Sequence, residues 1–273
     1  MSWERRTRWV AWVLGAATIG FLLYQWLPLF TLGLLSFGGP NGGTTFPMNG
    51  VSLHWYEELW RPTALSDFKP PMLRSFLLAL ACSATTAAMA LAAAQAVRGR
   101  FRGNNGFFYL MLLGIMAPGL LVGFGTAIVA RLLGIGLAWS TTTFLVHVTW
   151  TLPFGFLTML AVFNRFDKRL EEAALTLGAT PWVAFRRITL PIVMPGVIGS
   201  ALFGFSLSYD EFARSLFTTG ADLTLPLALM AQFDQQLTPT LYAVGTVTTV
   251  LSLAAILLFG GMFWAVRRSL RGI

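Results

Sequence analysis

Long apolar runs, separated by short polar segments, dominate the hydrophobic pattern of this chain. Each run is long enough for a helix that crosses a bilayer, which takes about 20 mostly apolar residues. The pattern predicts six transmembrane helices, at about residues 10–37, 72–97, 107–130, 140–163, 191–216 and 239–266. The second is rich in Ala and Thr, and such small residues favour a position inside a helix bundle because they let helices approach closely.

Several polar or irregular segments interrupt these runs. Residues 38–71 are predicted to form a polar loop, in which Ser52 caps a short amphipathic helix with the sequence LHWYEELW. Within the third run, the Pro118-Gly119 pair predicts a kink. Residues 218–237 are predicted to be a loop or a partly inserted segment.

Residues 164–190 form the longest polar interruption in the second half of the chain. Four residues spaced i, i+3, i+4 and i+7 predict a short helix with a small apolar face. These residues are Leu170, Ala173, Ala174 and Leu177. Gly178 is placed to end this helix. Thr180 is placed to cap a second helix, with Pro181 at its first position.

The composition indicates a membrane protein and argues against an enzyme. Hydrophobic residues make up 56% of the 273 residues and charged residues 11%, whereas charged residues make up about 25% of a typical soluble domain. One cysteine and two well-separated histidines predict neither a disulfide within the chain nor a metal site. Because the motifs H-E-x-x-H and G-x-S-x-G are absent, we expect no catalytic residues and no intramembrane enzyme.

The net charge of +8 follows from where the basic residues fall between the predicted helices. Cytoplasmic loops of membrane proteins carry an excess of Lys and Arg. Of the 19 Lys and Arg residues, 14 fall on the side that holds both termini and residues 164–190. They are Arg5, Arg6, Arg8, Arg98, Arg100, Arg102, Arg165, Lys168, Arg169, Arg186, Arg187, Arg267, Arg268 and Arg271. We therefore predict cytoplasmic termini, a cytoplasmic loop at 164–190, an external loop at 38–71 and no nucleic-acid partner.

The spacing of residues in the cytoplasmic loop resembles a known signature. The loop matches the pattern E-A-A-x3-G-x9-I-x-L-P at every defined position. These positions are Glu172, Ala173, Ala174, Gly178, Ile188, Leu190 and Pro191. The pattern is similar to the signature loop of the permease subunits of binding-protein-dependent ABC importers. The resemblance covers most of the chain and implies an all-α membrane protein with the type I ABC importer permease fold, in a single domain over 1–273.

In such permeases this loop is the coupling helix, which sits in a cleft of a cytoplasmic ATPase subunit and passes its motion to the spans. The resemblance implies a set of docking residues: Glu171, Glu172, Ala173, Ala174, Leu177, Gly178 and Ala179. The chain lacks a G-x-x-x-x-G-K-[ST] phosphate loop. ATP and Mg are therefore expected to bind the separate ATPase, and no cofactor is expected in this chain.

Further partners follow from the same resemblance. A single chain of this kind makes half of a pathway, so a second, homologous permease subunit is expected. Two copies of the ATPase and an external substrate-binding protein are expected as well. The lipid bilayer would be the bacterial inner membrane, which the chain crosses several times, and transport would proceed by alternating access.

Two segments resemble the spermidine/putrescine branch of these permeases, and they suggest a polyamine substrate. The segments are SLSYDEFARSLFTTG and TTFPMNGVSLHWYEELW. Ionisable groups near membrane depth mark a pathway or an ion pair, so the candidate pathway residues are Asp210 and Glu211, with Tyr209 and Ser208 beside them. The alternative is that Asp210 caps a helix or pairs with Arg214, whose own charge would weaken the attraction of an amine and favour a substrate with an anionic group.

Other interpretations stay open at this point. The same machinery could carry an aminoalkylphosphonate, an opine or amino acid, ferric ion or thiamine, because permeases for these solutes resemble the chain in the same regions. A channel or an ion-driven transporter is a remote alternative, which co-purification with an ATPase would exclude. We predict that His147 is hydrogen-bonded inside the protein, the alternative being a proton relay.

Overall fold

The structure is a computed structural model that describes residues 3–41, 44–61, 67–99, 101–235 and 238–270. Over these ranges the regular structure is helical, with one isolated β-bridge between Gly38 and Val51. The chain forms two compact units. The first comprises Met1–Asp67 and Gln232–Val250, and the second comprises Phe68–Ala231 and Leu251–Ile273. Arg100 and Arg271, two of the residues used to predict the orientation, lie outside the described residues.

Eleven α-helices are described. They are α1 (Trp3–Leu35), α2 (His54–Leu59), α3 (Lys69–Arg98), α4 (Asn104–Met116), α5 (Gly119–Leu132), α6 (Phe144–Phe163), α7 (Arg169–Thr176), α8 (Pro181–Ala184), α9 (Leu190–Tyr209), α10 (Leu225–Gln235) and α11 (Pro239–Leu270). A π-helical turn, Trp139–Thr143, precedes α6, and a second one, Phe185–Thr189, joins α8 to α9. Among the described residues, five helical segments are long and apolar enough to cross a membrane, or six if the bent pair of α4 and α5 is one span.

The predicted third span, 107–130, is not one continuous helix. Its two halves, α4 and α5, meet at an angle of 105°. The break lies at the predicted kink, because a proline disfavours helical backbone in the residue before it. Ala117 (ψ 126°) and Pro118 (ψ 122°) are both extended, so two consecutive residues leave the helix. The predicted position of the kink is confirmed, but the angle between the two helices is far larger than that of a kink within one transmembrane helix.

The predicted fifth span, 191–216, is shifted along the chain. Helical structure begins at Pro181 and runs through the π-helical turn into α9, which ends at Tyr209. The start was predicted too late because Arg186 and Arg187 interrupt the apolar pattern, although both side chains lie exposed on the helix surface. The predicted loop at 218–237 also contains a helix, α10.

The short helix in the polar loop is confirmed in the first unit. Ser52 Oγ accepts a hydrogen bond from the backbone N–H of His54 at 2.8 Å, at the start of α2. Tyr56 on this helix contacts Ser36, with 2.7 Å between their hydroxyl oxygens. This contact fastens α2 to the residues that follow α1.

Helices α3, α6 and α9 form the core of the second unit, and small residues let them touch. A Cβ atom at Gly204 of α9 would lie 2.8 Å from the Cα of Ser83 in α3. Side-chain hydrogen bonds cross the same interfaces, including Thr86 to Thr151 at 2.6 Å. Such packing and polar contacts hold helices together in lipid. The prediction that the second span lies inside a bundle is confirmed.

We expect Gly204→Ala to destabilise the protein, because the added methyl group would meet the backbone of α3. Overpacking of this kind costs about 1–3 kcal/mol. Thermal unfolding in detergent measures the effect. Gly125→Ala is the matched control, since a Cβ there meets nothing within 4 Å and alanine favours helix over glycine. Equal melting temperatures for the two variants would contradict the packing argument.

Candidate functional site

The predicted helix–turn–helix of the cytoplasmic loop is present. Helix α7 ends in a left-handed turn at Gly178, whose φ is +87°. The N–H of Ala179 bonds to the carbonyl of Ala174 at 3.0 Å, and the N–H of Gly178 bonds to the carbonyl of Leu175 at 3.0 Å. This closure needs a residue that tolerates positive φ, which favours glycine. Thr180 then caps α8 by accepting the N–H of Val183 at 3.3 Å.

The outer surface of α7 and the residue after it combines small residues, an acid and exposed leucines, of which Leu177 is the most exposed. Glu172 and Ala173 are exposed, and Leu177 is 88% exposed at the end of the helix. No residue of α7 is buried within the chain. An exposed leucine next to glycine suits a shallow apolar cleft of a partner, because it presents an apolar anchor for that cleft.

Glu171 has a different environment from its neighbour Glu172. Its two carboxylate oxygens accept hydrogen bonds from the guanidinium of Arg98 at 2.9 and 2.6 Å. The hydroxyl of Thr189 donates to the same carboxylate. The hydrogen bond from Arg98 is the main reason why the pKa of Glu171 lies below its usual value. Of the two predicted docking acids, Glu171 is therefore engaged within the chain and Glu172 is free to meet a partner.

The second predicted cluster lies where α9 ends. Asp210 occupies the C-terminal end of this helix and is exposed. Glu211 turns inward, where its carboxylate accepts from the Arg214 guanidinium at 3.0 Å. The proposed pairing of Asp210 with Arg214 is therefore wrong. The pairing falls to Glu211 because its carboxylate also accepts the backbone N–H of Arg214 at 3.0 Å, which turns it toward that residue.

Arg214 is nearly buried and is held on several sides. Its guanidinium carbon lies 3.7 Å from the centre of the Trp150 ring, a cation–π contact. One guanidinium nitrogen reaches the carbonyl of Ala117 at 3.4 Å, at the break between α4 and α5. Gly119 leaves room for this side chain, since a Cβ there would lie 2.8 Å from Arg214 Nη1. The charge of Arg214 is thus compensated inside the second unit.

A buried polar network surrounds these residues. His147 contacts Ser208 through Nδ1 and Ser215 through Nε2, both at 2.9 Å, and Ser215 donates to the carbonyl of Glu211 at 2.7 Å. The predicted internal hydrogen bonding of His147 is confirmed. Ser208 and Tyr209 are buried among side chains of the same chain. Of the four predicted pathway residues, Asp210 is the one whose side chain is exposed.

Sequence reasoning missed three residues of these clusters. They are Arg98, Trp150 and Thr189. In the sequence, Arg98 indicates only the orientation of the chain in the membrane. Its partner, Glu171, lies 73 positions away. Trp150 lies in an apolar run, where nothing in the sequence marks it as a partner of a charged residue. Within the described ranges, no three His, Cys, Asp or Glu side chains group closely enough to hold a metal ion.

Comparison with known proteins gives consistent matches over most of the chain. The family model for the binding-protein-dependent transport system inner membrane component matches residues 70–271. The putrescine transport system permease protein PotI of Escherichia coli (strain K12) is 30% identical over 262 residues, covering 93% of this chain and 89% of its own. The spermidine/putrescine transport system permease protein PotC of Haemophilus influenzae is 31% identical over 238 residues, covering 86% and 90%.

A solved structure shares the fold. A chain of a bacterial ABC transporter involved in the import of the acidic polysaccharide alginate superposes with a TM-score of 0.68. Its sequence is 15% identical, and the match covers 96% of this chain and 98% of that one. The all-helical membrane architecture is therefore that of ABC importer permeases.

We expect Arg214→Met to destabilise the protein by about 3 kcal/mol, because it leaves the Glu211 carboxylate without its cation in a nearly buried position. The double variant Arg214→Met with Glu211→Gln is expected to regain at least half of the loss in thermal unfolding. Arg61→Met is the matched control, since the pair of Arg61 with Glu58 is exposed and such pairs contribute less than about 1 kcal/mol. If the destabilisation of the double variant equals the sum of the two single effects, the interaction between Arg214 and Glu211 is excluded.

Proposed function

Since this chain belongs to the family of binding-protein-dependent transport system inner membrane components, we propose that it forms half of the pathway through which an ATP-driven importer carries a polyamine. The chain is a multi-pass permease subunit of the inner membrane. Transport is expected to proceed by alternating access, in which helices switch between two discrete packings. The observation that carries the proposal is the exposure of two side chains, Leu177 directly after α7 and Asp210 directly after α9.

The docking role rests on the shape and exposure of α7. Glu172, Ala173 and Leu177 are exposed, and a Cβ atom at Gly178 would meet no other part of the protein within 4 Å. A cleft of a cytoplasmic ATPase subunit is the partner that the family resemblance implies for such a helix. ATP and Mg would bind to that subunit, because this chain has no phosphate-binding loop of the G-x-x-x-x-G-K-[ST] type.

The polyamine assignment rests on the charge balance after α9. Relatives about 30% identical to this chain are named for putrescine and spermidine transport. Arg214 does not oppose an amine substrate, because Glu211 and the Trp150 ring already take up its charge. Asp210 is exposed, and none of the ion pairs among the described residues uses it. Its carboxylate is thus available to attract an ammonium group at the pathway mouth.

The complete transporter needs further chains. We propose a second, homologous permease subunit, two copies of the ATPase and an external binding protein that delivers the substrate. The binding protein would set most of the specificity, since it selects the solute before the permease meets it. The role of Asp210 would be to accept the amine that is released from it.

We expect Leu177→Glu to reduce the amount of ATPase that co-purifies with this subunit at least tenfold, because a charge would have to enter an apolar cleft. The fold should persist, since Leu177 is almost fully exposed. Ile135→Glu is the matched control, an exposed apolar residue in the connection after α5 on the predicted external side. Unchanged recovery of the ATPase with Leu177→Glu would exclude docking at this residue.

We expect Asp210→Asn to raise the apparent KM for polyamine uptake about fivefold, which corresponds to about 1 kcal/mol for an exposed charge-assisted contact. Uptake is measured in proteoliposomes that contain the complete transporter with saturating binding protein. Asp234→Asn is the matched control, since this aspartate is also exposed on the predicted external side. A KM that stays unchanged in Asp210→Asn would remove this residue from the pathway.

A further inference from the structure

Helix α7 is attached to the second unit mainly by polar contacts. None of its residues is buried, so burial of apolar surface contributes little to holding it. Its strongest described contact is the carboxylate of Glu171, which receives two hydrogen bonds from Arg98 and one from Thr189. Beside the covalent chain on either side of α7, Glu171 is therefore the described contact through which force on α7 can reach α3.

Arg98 is well suited to receive that force because it is itself fixed. Its guanidinium carbon lies 4.7 Å from the ring centre of Phe166 and 5.5 Å from that of Phe163. One guanidinium nitrogen also reaches the side-chain oxygen of Gln95 at 3.3 Å. The side chain of Arg98 is 10% exposed and that of Glu171 21%. A bidentate, partly desolvated ion pair of this kind has a defined geometry and resists displacement.

Arg98 is the last residue of α3, whose opposite end is fastened in a similar way. Arg74 donates to the Asp222 carboxylate at 2.6 Å and to the carbonyl of Leu223 at 3.2 Å. Ser75 accepts the backbone N–H of Leu225, the first residue of α10, at 2.8 Å. With 30 residues, α3 is about 45 Å long. It thus joins α7 at one end of the bundle to the segment before α10 at the other.

We propose that the Arg98–Glu171 ion pair is the link through which α7 moves α3, so that Glu171 is a positioning residue of the coupling loop and lies outside the surface that docks the ATPase. The inference rests on the proposed function, in which an ATPase moves α7. The inference assigns different roles to the neighbouring acids Glu171 and Glu172. Glu172 faces the ATPase, whereas Glu171 transmits the movement into the bundle.

The experiment measures ATPase recovery, ATP hydrolysis stimulated by the binding protein, and putrescine uptake per ATP, all in the complete transporter in proteoliposomes. Glu171→Gln keeps the shape of the side chain and removes its charge. We expect this variant to retain the ATPase and to hydrolyse ATP within twofold of the unmodified protein, while uptake per ATP falls about tenfold. Glu172→Gln is expected to lose ATPase recovery instead.

A reversed pair tests whether the link itself matters. We expect the double variant Arg98→Glu with Glu171→Arg to restore at least a third of the uptake per ATP. If either residue had only a local structural role, reversing the pair would not restore uptake. Glu58→Gln, which breaks an exposed ion pair in the polar loop, is the control and should leave the ratio unchanged. Should Glu171→Gln fail to assemble, Arg98→Lys decides, because lysine keeps the charge and loses the two-pronged contact.

The outcomes separate the inference from the function on which it rests. Full uptake per ATP in Glu171→Gln, or in Arg98→Lys where that variant decides, would overturn the inference. Failure of the reversed pair to restore uptake although it assembles would overturn it as well. Absence of an associated ATPase, or of ATP-dependent putrescine uptake, in the unmodified complex would instead reject the proposed function.

Discussion

Close packing of α3, α6 and α9 is the constraint on which the second unit depends. In a bilayer, apolar surface gains little by facing another helix instead of lipid, so packing and interhelical hydrogen bonds must hold the helices together. Gly204 lets the backbone of α9 touch that of α3, and Gly155 of α6 leaves room for small side chains of α3 and α9. Ser83 and Ser200 donate hydrogen bonds to carbonyls of the neighbouring helix. A bundle joined in this way fixes the positions of the charged residues at its ends.

Those charged residues follow the same arrangement at both sites. Each site contains a pair of neighbouring acids, at 171–172 and at 210–211, and in each of these pairs one acid is bound to an arginine of the same chain while the other is exposed. A carboxylate that is already hydrogen-bonded to a guanidinium gains little from a further partner, because its charge is compensated. The exposed acids, Glu172 and Asp210, are therefore the ones available to other molecules.

The sequence pattern was sufficient for the helices and for the turn of the coupling loop, since both depend on local features. The apolar runs predict most spans, and Gly178, Thr180 and Pro181 predict the turn. The pattern was not sufficient where distant residues decide. Nothing near Glu171 indicates that Arg98, 73 positions away, will bind it in preference to Glu172. At the sharp bend, the carbonyl of Ala117 accepts a hydrogen bond from Arg214, 97 positions away.

These contacts suggest a mechanical role for the bend between α4 and α5. A displacement of α7 that passed through Glu171 would meet α3, which is packed closely against α6 and α9. Close-packed helices resist shear because their groups have no room to slide. The displacement must then be taken up where the chain is not helical. Ala117 and Pro118 are extended, and Arg214 binds the carbonyl of Ala117 directly after α9 has ended. Because Arg214 lies close to the end of α9 in the chain, a displacement of α9 would reach this break through the contact between Arg214 and Ala117.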